Sequence, residues 1–423
     1  MPASPDFLAE QALSTARALL DPQTVTAALP PSAAHTLSDG LASTALLHAC
    51  LARHDPRFAT AAAEHWTATR HHLRGAPPDG IYTGPGALAA SLIIGTGYLP
   101  DPEPCQATLR KATTWLSARA QGLADHQRRR FSNNRPGAPW AVYDTIKGLA
   151  GIGRVLLAAH TTGHHTEAEP GLTAALTTLT TLITTSHGTR PGWWLPAADH
   201  PPGVTVPPSG AATTGLAHGI AGPLALLATA HLHGYTVPGQ FHAIRTAAIW
   251  LTTWQEPTGT WPPFISGNDL ESPPPPDRLR PPQRRDAWCY GTPGIGRALC
   301  LGGQALTDAA VIRAGQAAIT AMANRSPPQW DTEGPTLCHG TAGVLQAAER
   351  ARIRTVAERA AHATADFHDP RRPFGFPHIE ARTSYDNPGF LTGAAGAALA
   401  TASHAALIAA HPSAPWDSLL VLC

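Results

Sequence analysis

The chain has 423 residues, 43% of them hydrophobic, which is enough to bury one large core or two ordinary ones. Thirty Lys and Arg face 29 Asp and Glu for a formal charge of +1, and no basic stripe carries interleaved aromatics, so nucleic acid is excluded as an expected partner. The N-terminal MPASPDFLAEQ has neither a cationic lead nor an apolar run, and nowhere do about 18 apolar residues follow one another, so a cytoplasmic protein with no membrane span is expected.

Helical spacing begins with Leu8, Ala12, Ala16 and Leu19 and returns at Leu109, Ala112 and Leu116. Strand-like alternation is scarce, which makes the predicted class all-α. Long irregular tracts run over about 188–214, 257–288 and 366–389, and tracts of that length within a domain tend to be functional or disordered. The Pro-rich Leu270–Pro282 reads alternatively as a linker between two domains, but the repeat described next continues across it. A single unit over 1–423 is therefore expected.

That repeat is a Gly-x-x-Gly turn followed by a helix of small residues. It reads KGLAGIGRVLL from 147, AHGIAGPLALL from 217, YGTPGIGRALC from 290, HGTAGVLQAAE from 339 and LTGAAGAALAT from 391. Weaker copies start at Gly40 and Thr83, with Ser43 where a second glycine is usual. Taking the second small position as marker places the seven copies at 43, 86, 151, 222, 294, 343 and 396, and each step has room for two ordinary helices and their loops. Glycine suits such turns because a β-carbon would obstruct a left-handed residue or a close backbone approach. Seven equivalent turns would gather at one end of the molecule. An α,α-toroid buries every inner face, and an open helical solenoid is the alternative.

If the turns share one end, the polar residues beside them become neighbours: Asp144, His218, Cys289, Cys338 and His339. Six cysteines are too few for a disulfide framework, so in a reducing compartment most should be free thiols. Two thiolates and an imidazole suit zinc and leave a fourth tetrahedral position open, as in catalytic sites. Adjacent ligands at 338 and 339 require non-helical backbone, since successive helical side chains diverge by about 100°. The bland readings are buried thiols for Cys289 and Cys338, a hydrogen-bonded loop residue for His339, a helix-start residue for His218 and a helix cap for Asp144. Trp288 and Tyr290 read as packing, and Arg285 as part of the solvated basic loop RLRPPQRR.

Four motifs, YDTIKGLAGI from 143, GLAHGIAG from 215, WCYGTPGIG from 288 and LCHGTAG from 337, together with the ordered repeats, resemble the lanthionine synthetase C family, the lanthipeptide cyclases, over essentially the whole chain. The resemblance implies an α,α-toroid of seven inner and seven outer helices, with one zinc at the end bearing the turns. It implies Cys289, Cys338 and His339 as zinc ligands, His218 as the acid/base histidine, Asp144 as the catalytic aspartate, Arg285 and Tyr290 as polar groups around the substrate, and Trp288 as a pocket wall. Some members carry a small inserted domain, and the segment 87–142 has room for a reduced one.

The implied reaction joins a cysteine thiol to dehydroalanine or dehydrobutyrine in a dehydrated precursor peptide of leader plus core, forming lanthionine or methyllanthionine rings. Zinc would deprotonate a thiol that is otherwise only a few per cent thiolate at neutral pH. His218 would protonate the α-carbon, Arg285 would stabilise the enolate and Asp144 would orient His218. A dehydratase and an export transporter are the implied partners. The rivals are a relative that adds glutathione or another thiol to dehydroamino acids, a non-catalytic peptide-binding scaffold, and a glycoside-active toroid. The last would need paired carboxylates, and only Asp144 is placed at that end.

Overall fold

The computed structural model describes residues 4–274, 286–409, 411 and 414–423. In chain order its helices begin with α1 (Pro5–Ala18), α2 (Pro22–Ala27), α3 (Leu41–Leu51), α4 (Pro56–His71), α5 (Gly84–Gly95) and α6 (Gln106–Ser132). The middle of the chain forms α7 (Trp140–Tyr143), α8 (Leu149–Thr161), α9 (His165–Thr184), α10 (Ala221–Leu232), α11 (Gln240–Thr253) and α12 (Gly267–Glu271). The remainder are α13 (Thr292–Leu306), α14 (Ala309–Ala321), α15 (Thr341–Ala351), α16 (Arg354–Ala365) and α17 (Ala394–His404).

Two kinds of helix follow from two kinds of sequence. The helices that start at the Gly-rich turns, α3, α5, α8, α10, α13, α15 and α17, are apolar around most of their circumference; all of α3 is buried. Such helices can only be interior. Those that follow them are amphipathic: in α4 the buried residues are Phe58, Ala61, Ala62, His65, Trp66 and Thr69, one face of a helix capped by Asp55. Each inner helix packs on the next, and α17 packs back on α3. The outer helices α4, α6, α9, α11, α14 and α16 each cover the inner helix that precedes them, while α1 covers α17. The N-terminal helix thus completes the shell around the last repeat.

Backbone hydrogen bonds between the turns show the closure directly. Leu37 N–H reaches the Tyr82 carbonyl, Ile81 that of Ile146, Thr145 that of Ala217, and Leu216 and Ala217 that of Cys289. Cys289 then donates to Cys338, Cys338 to Leu391, and Leu391 to Ser38, back in the first turn. Seven links make a ring. The fold is therefore the expected toroid of seven inner and seven outer helices, and the open solenoid is overturned by the Leu391 to Ser38 bond.

The glycines at the marker position serve close approach. A β-carbon on Gly294 would lie 2.2 Å from the Trp288 carbonyl oxygen, and one on Gly343 2.1 Å from that of Leu337. Neither has a positive φ, so space and not dihedral freedom demands glycine there.

The inside of the ring is filled by the C-terminal segment. Residues Trp416–Leu422 are buried and gripped by several repeats: Tyr82 Oη donates to the Leu419 carbonyl at 2.6 Å, Trp288 Nε1 to Leu420 at 2.9 Å and Arg297 Nε to Leu422 at 2.7 Å. Arg350 pairs with the buried Asp417 through Nη2 to Oδ1 at 2.6 Å. Burial opposes ionisation of Asp417, yet Arg350, Gln346 and Cys423 together hold its carboxyl below the usual range.

Three short antiparallel ribbons lie in or beside the tracts expected to be irregular: β1 (Ser186–His187) with β2 (Arg190–Pro191), β3 (Ala211–Thr213) with β4 (Phe264–Ser266), and β5 (Pro377–Glu380) with β6 (Thr383–Asp386). The segment 87–142 contains the rest of α5, two 3₁₀ turns, the 27-residue α6 that packs on α5, α8 and α9, and the start of α7. Among the described residues no helix is long and apolar enough to cross a membrane.

Candidate functional site

Cys289 is placed by the ring of turns. Its N–H bonds the Cys338 carbonyl at 3.2 Å and its own carbonyl accepts from Leu216 and Ala217 at 3.1 Å, so its position is tied to both neighbouring repeats. The next turn presents Cys338 and His339 before α15 begins at Thr341, on the non-helical backbone that adjacent ligands require. Glu333 N–H holds the His339 carbonyl at 2.8 Å, and Gly340 N–H bonds the Thr336 carbonyl at 3.1 Å.

Donor atoms of Cys289, Cys338 and His339 all lie within 4.8 Å of one another. With metal–sulfur bonds of about 2.3 Å and metal–nitrogen bonds of about 2.0–2.1 Å, donors around a tetrahedral zinc are separated by less than this, so modest side-chain adjustment closes the set. His339 Nε2 is buried, has no hydrogen-bond partner among the described residues, and stands 3.7 Å from Glu333 Oε2. A hydrogen bond with Cys338, helped by the hydrogen bond and charge of His339, holds the Cys289 thiol well below its ordinary pKa against the opposing effect of burial. Two cysteine sulfurs beside an imidazole fit a zinc ion, and these three residues would hold it.

The second half of the site is built on the third and fourth turns. Asp144 ends α7 and is fully buried. Its Oδ1 accepts from Lys147 N–H at 2.7 Å and Gly148 N–H at 2.9 Å, and its Oδ2 lies 2.6 Å from His218 Nδ1. One carboxylate both pins the turn that leads into α8 and orients a histidine; α8 starts from Gly148 with no side-chain cap, so Asp144 is not the helix cap of the bland reading. A carboxylate can only accept, so Nδ1 of His218 is the donor, and in the neutral ring it is Nε2 that carries the lone pair.

Tyr290 joins the two halves: it follows Cys289 in sequence, and its ring centroid lies 6.1 Å from that of His218. Burial drives its pKa far above the ordinary value, so its phenol remains a hydrogen-bond donor. Asp144, His218, Tyr290, Cys289, Cys338 and His339 thus meet at the turn-bearing end of the ring. Trp288 does not join them. It is fully buried with its indole N–H on the Leu420 carbonyl, which places it in the core, where it anchors the C-terminal segment, and not on a pocket wall. Arg285 lies outside the described residues.

Three residues near the site carry no repeat signal. Trp140 stacks on His218 with centroids 4.8 Å apart and planes at 17°. Tyr143 shares a 2.9 Å hydrogen bond with Thr213 on β3. His378 on β5 meets the His339 ring edge-on at 5.8 Å and is hydrogen-bonded through Nδ1 to the Thr392 carbonyl. Trp140 and Tyr143 sit within four residues of Asp144 and were open to notice; His378 belongs to a tract with no motif.

A closed double ring of helices with a Cys₂His cluster and an Asp–His pair at one end defines the class: an α,α-toroid with a metal-type donor set beside an acid/base pair. The chain belongs to the lanthionine synthetase C-like proteins, whose family model matches residues 31–420. It is 29% identical over 144 residues to the nisin biosynthesis protein NisC of Lactococcus lactis subsp. lactis, a match that spans 33% of each chain. A solved structure of nisin cyclase superposes with a TM-score of 0.72 at 19% identity, covering 92% of this chain and 93% of that one. That likeness establishes the toroidal fold.

Proposed function

We propose that this protein is a zinc-dependent lanthipeptide cyclase that closes thioether rings in a dehydrated precursor peptide. The observation that carries the reading is the meeting of Cys289, Cys338 and His339 with the Asp144–His218 pair at one end of the ring. Family membership supports it. Zinc, held by those three side chains, would supply the acidity that keeps a peptide thiol in its thiolate form near pH 7.

The chain's own residues account for the proton. Asp144 fixes the His218 tautomer, so Nε2 takes the thiol proton. The sulfur pair then forms the bond to the β-carbon of the dehydro residue, and the Cα=Cβ electrons move onto the carbonyl as an enolate. His218 returns the same proton to the α-carbon; nothing is oxidised and nothing leaves. Tyr290, whose ring lies 6.1 Å from that of His218, offers its phenol as a hydrogen-bond donor to the substrate. Arg285, by the family resemblance a polar group around the substrate, would stabilise the enolate. In this reading the substrate, leader plus core, comes from a dehydratase in the cytoplasm and passes to an export transporter.

The test is mass spectrometry after thiol alkylation, since cyclisation leaves mass unchanged. A dehydrated peptide incubated with the protein should lose alkylatable cysteines one for one with rings formed. If all cysteines remain alkylatable, the reading fails. Glutathione adducts in place of rings would assign intermolecular thiol addition instead.

A further inference from the structure

We infer that Trp140 is a further catalytic residue, whose indole N–H donates to the carbonyl oxygen of the dehydro residue as that oxygen takes up enolate charge; this rests on the cyclase reading. The placement is local. Trp140 opens the four-residue α7, and Asp144 N–H bonds its carbonyl at 2.9 Å, so the tryptophan and the aspartate flank one turn of chain. Between them they fix His218, which Asp144 grips at Nδ1 and Trp140 covers face to face. His200 packs edge-on against Trp140 with centroids 5.7 Å apart.

The indole nitrogen is the unexplained atom. Trp140 is 8% exposed, and its Nε1 has no hydrogen-bond partner among the described residues. Indole N–H is a donor only, and leaving a buried donor unsatisfied is unfavourable. Five other indoles have an acceptor: Trp66 donates to Ser91, Trp261 to Leu251, Trp288 to Leu420, Trp330 to Met322 and Trp416 to Ser403. Trp193 and Trp194 are also unsatisfied, but Trp193 packs on Trp250 and Trp194 lies under Arg190, with neither stacked on a site residue. Only at Trp140 does the orphaned donor accompany the acid/base histidine.

The chemistry supplies its acceptor. In the addition, the sulfur pair forms the bond to Cβ, the Cα=Cβ pair shifts so that the carbonyl oxygen becomes negative, and His218 delivers the thiol-derived proton to Cα. The atom to be protonated and the atom that gathers charge are separated only by the carbonyl carbon. Two stacked rings, one bearing Nε2 of His218 and the other Nε1–H of Trp140, can serve both. Trp140 keeps its own proton throughout and contributes a donor already in place before charge develops.

The experiment replaces Trp140 with 3-benzothienylalanine, which keeps the bicyclic face and removes the N–H, alongside Trp140→Phe. The probe is a synthetic peptide with one dehydroalanine and one cysteine. Wild-type protein is assayed first, and failure to close that ring counts against the cyclase reading itself. With an active wild type, the isostere should retain zinc and melting temperature while kcat falls about 10- to 100-fold and KM stays within about twofold, as for loss of one oxyanion donor. In the metal-free protein the His218 ring-proton NMR signals should keep their positions. A kcat within twofold of wild type overturns the proposal, as does a loss of rate accompanied by displaced His218 signals, which would make Trp140 a positioning residue.

Discussion

Asp144 serves two elements with its two oxygens: Oδ1 takes the Lys147 and Gly148 N–H groups at the start of α8, and Oδ2 stands 2.6 Å from His218 Nδ1. Asp144→Asn separates the two duties. Its amide oxygen can still accept from the Lys147 and Gly148 N–H groups, while its NH₂ would face Nδ1 and favour the opposite tautomer, with the proton on Nε2. Cyclisation is expected to fall about 10²- to 10⁴-fold with little change in melting temperature. Asp144→Ala loses the turn hydrogen bonds as well and should cost about a further 1 kcal/mol in denaturant titration. An Asn variant with wild-type rate would remove Asp144 from the mechanism.

Metal content separates the two halves of the site. One zinc per chain is expected from elemental analysis of protein purified without chelator, and Cys289→Ala or Cys338→Ala should reduce it to background. His218→Ala should keep the zinc and lose ring formation. Ligand deprotonation makes the retained zinc fall as pH is lowered. Native protein without any bound metal would contradict the assignment of the Cys₂His cluster.

The turn glycines give a stability contrast. In Gly343→Ala the new methyl would meet the Leu337 carbonyl oxygen at 2.1 Å, next to Cys338, and should destabilise the fold by about 1–3 kcal/mol. Zinc affinity should weaken with it. Gly122→Ala, on the exposed side of α6 with nothing within 4 Å of the new atom, should instead stabilise by about 0.5–1 kcal/mol. Equal effects at the two positions would show that close approach does not explain the turn glycine.

Two buried histidines set an acid limit. Burial, with help from the charge of His65, depresses His48 to about 3, and burial depresses His65 to about 4. Their Nε2 atoms bond the Leu19 and Leu20 carbonyls at 2.9 and 3.0 Å, which keeps that proton in place on a neutral ring. Above the unfolded value near 6.5 neither state takes an extra proton; below it the unfolded chain binds two and the folded chain none. Their contribution is thus complete above about pH 6.5 and is lost as pH falls toward 4 and 3, at up to about 1.4 kcal/mol per pH unit for each. Denaturant midpoints at pH 7.5 and 5.5 should show a smaller pH dependence in the His48→Leu/His65→Leu double variant than in wild type. An unchanged dependence would clear these histidines.

The sequence by itself determined the class, the repeat and the kinds of atom at the site. Gly-x-x-Gly before an apolar helix recurs because each inner helix must start with a carbonyl packed against its backbone, and that steric demand is local enough to be written in residue types. Cys289, Cys338, His339, His218 and Asp144 were legible because they lie in or beside those turns. Ring closure was not, since it depends on a hydrogen bond from Leu391 to Ser38 and on α1 covering α17, contacts between opposite ends of the chain with no signature in either segment. Trp288 shows the limit from the other side. The residues read it as packing while the family resemblance implied a pocket wall; at a turn adjacent residues face different ways, and the C-terminal segment inside the ring supplies the carbonyl that draws Trp288 into the core. Trp140 and His378 reach the site through ring packing between neighbouring repeats, which brings them against His218 and His339.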